Sequence, residues 1–265
     1  MKKLLTIIFV LIASIANAGE TLRLATTTST DNSGLLRTLL PDFERKTGIR
    51  VHVIAVGTGK ALRMGRDGDV DVVLVHARSA EEQFVADGSG VARYPVMHND
   101  FVIVGPVDDA AGVSAETDVA SALQQIAVAK ARFVSRGDDS GTHQKELSLW
   151  QAAGIEPQGR WYLQAGQGMG KVLQMASELQ AYTLTDRGTW LAMRDKLDLG
   201  LLLSGDERLF NPYGIIAVNP AKHSDVNYRA AVKLIDWLIS PETQQKIAAF
   251  RVGGEPLFVP ENLPQ

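Results

Sequence analysis

The chain has 265 residues, no cysteine and a formal net charge of −3. The missing cysteines exclude a disulfide scaffold and a thiolate metal site. The excess of acids, with no basic run, excludes nucleic acid as a partner, because phosphate neutralisation needs clustered Lys and Arg.

The first element is an address. Lys2 and Lys3 precede an apolar run from Leu4 to Ile15, and Ala16-Asn17-Ala18 has the small-x-small form of a cleavage site. We place cleavage after Ala18, which implies export to a bacterial periplasm. A retained membrane anchor is the weaker alternative, since the run is shorter than the roughly 20 residues that span a bilayer. With no cysteine to lipidate, a lipoprotein is excluded. Removing the leader and its two lysines leaves 247 residues with 25 basic against 30 acidic side chains, a net charge of −5. That length suits one large domain or two modest ones, stabilised by packing alone.

Strand and helix patterns then alternate. Leu22 to Ala25 reads as a strand, Thr26 to Ser33 as a loop, and Leu35, Leu36, Leu39, Leu40 and Phe43 as one face of a helix ending at Gly48. Pro41 should bend or break that helix. Arg50 to Val56 is a second strand, Gly57-Thr58-Gly59 a loop and Lys60 to Arg66 a short helix. Val70 to Val75 and Ala80 to Ala86 form a third strand and helix. This βαβαβ order predicts a parallel sheet whose ligand site lies beyond the carboxyl ends of the strands, so the Thr26–Ser33 and Gly57–Gly59 loops should be neighbours.

Phe101 to Val104, ended by Gly105-Pro106, is a crossing into a second domain. That domain holds a helix from Val119 to Ala129, a strand at Phe133, the loop from Ser135 to His143 and a helix from Thr142 to Ala153. Gln167 to Gly170 opens another helix. Ala181 to Leu184 is a strand, and Thr185 to Thr189 precedes a further helix. Tyr213 to Val218 makes the return crossing, and helices from Tyr228 to Ile239 and from Ser240-Pro241 onward close the chain. Two crossings without a flexible linker predict two lobes, residues 19–101 with 212–265 and residues 102–211, hinged around a cleft.

Three stretches carry candidate chemistry. Thr26 to Thr30 is five consecutive hydroxyl residues before a helix, more than one cap requires. Thr58 follows a strand in the same way. Ser135-Arg136-Gly137-Asp138-Asp139-Ser140-Gly141-Thr142-His143 joins a strand to a helix and carries an arginine. Unpaired N–H groups at a helix start, small residues and a guanidinium fork together suit an oxyanion. Arg187 is a weaker second arginine that Asp186 could occupy.

Other chemistries fail on spacing. The Gly57–Lys60 stretch lacks the first glycine of a P-loop, where Ile54 stands, and Ala61 follows the lysine. Ser140 lacks the G-x-S-x-G elbow of a hydrolase and has no general base at a recognisable spacing. His143 reads as a solvated or capping residue, and the five histidines show no metal-ligand spacing.

Retention at nanomolar level needs about 12 kcal/mol, and hydrogen bonds to charged groups supply roughly 1.5–3 kcal/mol each. Six to eight donors are then needed after association costs, more than one loop offers.

Thr26 to Leu36, Ser135 to His143 with Lys145-Glu146, Gly168-Met169-Gly170 and Tyr182 to Thr189 together resemble the tungstate-binding proteins of tungstate ABC transporters. The resemblance covers nearly all of the chain after the leader. It implies an α/β, type II periplasmic-binding-protein fold: two lobes, each a mostly parallel sheet flanked by helices, joined by a two-strand hinge. It also implies capture of tungstate, with molybdate or phosphate as alternatives, and delivery by a monomer to an ABC permease in the inner membrane. The anion carries its own tungsten, so no cofactor or protein-bound metal is expected, and no catalysis. Carried over residue by residue, the anion contacts fall on Thr28, Ser29, Thr58, Arg136, Ser140, Gly141 and Thr142, with Arg187 the least secure. Asp138 and Asp139 are expected to point outward or to cap the following helix.

Overall fold

The computed structural model describes residues 19–263, so the leader assigned to residues 1–18 lies outside the described residues. In chain order the elements begin with β1 (Thr21–Thr27), α1 (Thr28–Asn32), α2 (Leu35–Thr47), β2 (Arg50–Val56), α3 (Thr58–Asp67), β3 (Val72–Val75) and α4 (Arg78–Ala86). A long strand β4 (Gly90–Gly105) leads to α5 (Val119–Ala129), β5 (Phe133–Ser135), α6 (Gly141–Ala152), β6 (Tyr162–Gln164), α7 (Met169–Leu179), β7 (Thr183–Asp186), α8 (Arg187–Met193) and β8 (Gly200–Leu203). The chain returns through β9 (Phe210–Val218) to α9 (Tyr228–Ile239), α10 (Pro241–Ala249) and the short strands β10 (Arg251–Val252), β11 (Glu255–Pro256) and β12 (Val259–Pro260).

The first sheet has the order β12-β4-β9-β3-β1-β2. Strands β1, β2 and β3 are parallel, as the βαβαβ pattern predicts, whereas β9 runs antiparallel to β3 and β4. The sheet is therefore mixed, because the two crossing strands enter it in opposite directions. The partners of β4 change within one step of the chain. Asp100 pairs with Phe210 of β9, while Phe101 pairs with Asp186 of β7, and Ile103 to Gly105 also pair with β8. A second, smaller sheet continues through Phe133 beside Tyr182 to β5 and its parallel partner β6. The architecture is α/β and two-lobed, with β4 and β9 as the crossing strands.

Several elements differ from the sequence reading, each for a local reason. Pro41 does not break α2, which runs through it. Proline and Arg37 both lie on the exposed face, where water can satisfy the carbonyl that the missing N–H leaves free. Thr26 and Thr27 belong to β1 rather than to a loop; the Thr26 hydroxyl donates to the Leu74 carbonyl at 2.7 Å and ties β1 to β3. The first half of β4 is masked in the sequence by Pro95, which the ladder tolerates at an irregularity between Pro95 and Met97.

One buried cluster runs through both lobes, and a second is centred in the second lobe. Leu36, Leu39 and Phe43 of α2 share the first cluster with Leu22 and Leu24 of β1 and Leu234 and Leu238 of α9. In the second lobe Trp150 is 1% exposed and lies 5.2 Å from Phe133 and 5.7 Å from Trp161, in edge-on contacts. Close to the cleft, Glu81 of α4 is buried and accepts from the Arg93 Nε at 2.7 Å and the Ala77 N–H at 2.6 Å. Burial pushes its carboxyl up to about 7, against the pull of Arg93. A Cβ at Gly214 would stand 2.2 Å from the Glu81 Oε2 and 2.7 Å from the Arg93 Nε. Gly214→Ala should therefore break this buried pair and destabilise the protein by about 3–5 kcal/mol, read as a lower urea midpoint at unchanged slope.

Candidate functional site

Four helices begin at the space between the lobes. Thr27, at the end of β1, caps α1 by accepting the Thr30 N–H, and Gly57, at the end of β2, stands at the start of α3. Ser140 caps α6 by accepting the His143 N–H, and Gly168 stands at the start of α7. The first N–H groups of each helix have no acceptor inside it and carry the positive end of the helix dipole. Residues Thr28, Ser29, Thr58 and Gly59 of the first lobe and Gly141, Thr142, Met169 and Gly170 of the second line one cleft of about 840 Å³. That space is many times larger than a single tetrahedral oxyanion.

The hydroxyl run of the first lobe divides by direction. Thr26, Thr27 and Thr30 are buried, and the Thr27 and Thr30 hydroxyls lie 2.6 Å apart, while Thr28 and Ser29 are exposed on the cleft wall. An α1 that starts at Thr28 produces this division, because Thr27 is consumed as the cap.

On the opposite wall Arg136 lines the cleft, 23% exposed, with its Nε on the Asp138 carboxylate at 2.9 Å. No partner holds its Nη atoms among the described residues, so the terminal nitrogens of the fork remain available. Asp138 does not line the cleft. Burial raises its carboxyl pKa, but the Ser140 hydroxyl and N–H and the Arg136 charge outweigh that, and the net shift is downward. Asp139 is a different case: its side chain is 99% exposed on the cleft rim. Its backbone sits at φ +56°, which turns its N–H onto the His143 Nδ1 at 3.1 Å. His143 is accordingly buried beneath the turn rather than solvated.

Gly137, at φ +59°, lets the loop after β5 pass against β6; a Cβ there would lie 2.9 Å from the Gln164 Cβ. Beneath the loop, Glu146 of α6 is buried and accepts from the Ser135 hydroxyl (2.8 Å), the Tyr162 hydroxyl (2.8 Å) and the Trp150 indole (3.2 Å). Burial raises its carboxyl pKa further than these donors lower it. The network fixes the strand end from which Arg136 projects.

Seven of the eight sequence-predicted residues are brought together on the two walls: Thr28, Ser29, Thr58, Arg136, Ser140, Gly141 and Thr142. Arg187 is not. Both oxygens of Asp100 hold its guanidinium, at 2.5 and 2.6 Å, beside the point where β4 changes partners. Asp186 is occupied elsewhere, capping α8 through Thr189.

The sequence reading missed Lys60, His76, Asn99, Asn211 and Tyr213, all of which line the cleft. The histidine carried a usable signal, because it immediately follows β3 and so lies at a carboxyl strand end. The two asparagines and the tyrosine sit on the crossing strands, where only the register of β4 against β9 brings them to the cleft. Among the described residues no cluster of His, Asp and Glu could hold a metal ion, and no helix is long and apolar enough to cross a membrane.

A two-lobed α/β protein whose helix starts face one another across a hinged cleft is a solute-binding protein of the periplasmic-binding-protein class. The PBP superfamily domain matches residues 14–242. The tungstate-binding protein TupA of Peptoclostridium acidaminophilum is 51% identical over 241 residues, spanning 89% of this chain and 84% of that protein. The tungstate-binding protein TupA of Desulfovibrio alaskensis G20 is a solved structure with a TM-score of 0.87 and 48% identity, covering 92% of this chain and all of that one. A tungstate ABC transporter structure from Geobacter sulfurreducens has a TM-score of 0.79 and 57% identity, over 87% of this chain and 99% of that one. The chain belongs to the PBP superfamily and to the same family as these TupA proteins.

Proposed function

We propose that the protein captures tungstate, and molybdate alongside it, in the cleft and delivers it from the periplasm to an ABC permease, acting as a monomer. One observation carries this reading: helix starts from both lobes converge on one cleft, with the unengaged Nη atoms of Arg136 on its wall. The named function of relatives with about half their residues identical supports it. The lobes are residues 19–101 with 212–265 and residues 102–211. Thr28, Ser29 and Thr58 donate from the first; Arg136, Ser140, Gly141 and Thr142 donate from the second. Arg187 is assigned to the hinge, paired with Asp100, rather than to the anion.

A net charge of −5 opposes anion entry, so the attraction is local: dipoles, N–H groups, the guanidinium and Lys60 act within a low-dielectric cleft once it closes. A fully ionised oxyanion has only acceptors, and every group named above is a donor. Serine and threonine hydroxyls that already accept a capping N–H keep their proton, and binding asks the Ser140 hydroxyl to turn that proton from the Asp138 carboxylate to the anion.

Asp139 favours a second reading. A carboxylate on the cleft rim could accept the proton of monohydrogen phosphate, which tungstate lacks. Competitive calorimetric titration of ligand-free protein with tungstate, molybdate, sulfate and phosphate separates the two. Tungstate should bind most tightly or share first place with molybdate, whereas tighter phosphate binding would remove the oxometallate reading.

A further inference from the structure

We infer that His76 is a positioning residue of the oxyanion site, whose imidazole joins the hinge asparagines to the hydroxyls of Thr27 and Ser29 and sets the direction of those hydroxyl protons. The inference deepens the reading of the cleft as an oxyanion site and rests on it.

The proton arrangement follows from the contacts. The Asn211 Nδ2 donates to the Asn99 Oδ1 at 2.8 Å across the paired strands β9 and β4, so the Asn211 Oδ1 faces the His76 Nδ1 at 3.0 Å. A carbonyl oxygen only accepts, so Nδ1 carries the proton. In the neutral ring Nε2 is then an acceptor, 3.1 Å from the Thr27 Oγ1 and 3.3 Å from the Ser29 Oγ. The ring packs at a tilt against Tyr213 of β9, with centroids 4.7 Å apart, and the Glu81 carboxylate pins the next residue through the Ala77 N–H. His76 thus has one edge on the crossing strands, a residue from where β4 changes partners, and the other edge on the wall that presents Thr28 and Ser29.

Protonation changes what the hydroxyls can do. When Nε2 is a lone pair, one hydroxyl of the Thr27–Ser29 pair spends its proton on the ring. When Nε2 carries a proton, both oxygens accept from it, and the Ser29 proton is free to turn into the cleft. A bound anion that only accepts favours the second arrangement, and its charge favours the imidazolium as well.

The groups around the ring set the starting point. Burial lowers the His76 pKa below its usual value, while the Asn211 bond and the charge of Asp186 at the start of α8 act in the opposite direction. From β9 the neutral Tyr213 faces it, from β1 and α1 come uncharged hydroxyls, from β4 comes Asn99, and on α4, the helix that follows it, Glu81 is engaged by Arg93. Arg136 and Lys60 line the same cleft and oppose a third positive charge until the anion neutralises them. Anion capture at mildly acid pH should therefore take up a proton.

The test is calorimetric titration of the leader-free protein and its His76→Ala and His76→Gln variants with sodium tungstate, at about pH 6 and about pH 8, each in two buffers of different ionisation enthalpy. Wild-type binding enthalpy should depend on the buffer near pH 6 and not near pH 8. His76→Ala should bind roughly 10-fold more weakly. His76→Gln, whose amide reaches the Nε2 position, should regain most of the affinity without the buffer dependence, and melting midpoints report whether each variant is folded. Tight wild-type binding that is matched by a folded His76→Ala, with the same buffer dependence, overturns this inference alone. No binding by the wild type overturns the tungstate reading and this inference with it.

Discussion

Arg136→Ala should weaken tungstate binding by roughly 2–5 kcal/mol, about thirty- to several-thousand-fold, with the melting midpoint of the ligand-free protein almost unchanged. The guanidinium makes one ion pair, with Asp138 at 2.9 Å, and its Nη atoms have no partner among the described residues. Folding therefore gains little from it, since a partly exposed pair of this kind contributes about 0–1 kcal/mol. The anion, by contrast, would be enclosed with one full charge fewer. Arg136→Lys tests geometry against charge, because lysine keeps the charge but lacks the planar fork. Recovery of less than half the lost free energy by lysine would locate the contribution in the fork. Isothermal titration measures both variants, and unchanged affinity in Arg136→Ala would mean that the anion binds elsewhere.

Trp150→Ala should lower stability by about 3–5 kcal/mol, a fall of roughly 6–20 °C in melting midpoint for a chain of this size. The indole is 1% exposed, packs edge-on against Phe133 and Trp161, and donates to Glu146. Its loss would leave a cavity beside a buried carboxylate with one donor fewer. Because Glu146 also holds Ser135, the residue before Arg136, the same change should loosen the anion loop. Oxyanion affinity measured well below the melting range should fall as well, whereas a comparably destabilising change in the first lobe, such as Phe43→Ala, should leave it nearly intact. Equal effects on affinity would show that the Glu146 network does not position Arg136.

Much of the cleft lining was legible because parallel strands end near helix starts, and helix starts declare themselves by small hydroxyl and glycine residues. Seven of the proposed contacts lie on the cleft for that reason. Arg187 lies off the cleft, and chain position alone cannot tell an arginine facing the cleft from one facing Asp100, a residue 87 positions away. The hydroxyl run hid a similar distinction. Thr27 differs from Thr28 only in being consumed as a cap, and that depends on where α1 begins. His76 and Asn211 were invisible as a pair, since 135 residues separate them and only the register of β9 brings them within 3.0 Å. In the fold, Pro95 concealed the first half of β4, and the short β6 and β8 had too little periodicity to read.

The central claim is that one bare oxyanion is held between the lobes by Arg136 and the helix starts that face it. Anomalous diffraction at a tungsten absorption edge, from crystals of the leader-free protein grown with tungstate, tests it most directly. One strong peak is expected in the cleft, within hydrogen-bonding distance of the Arg136 guanidinium and of Thr28, Ser29 or Thr58 on the opposite wall. A strong peak outside the cleft, or a cleft without one in crystals of tungstate-saturated protein, would contradict it.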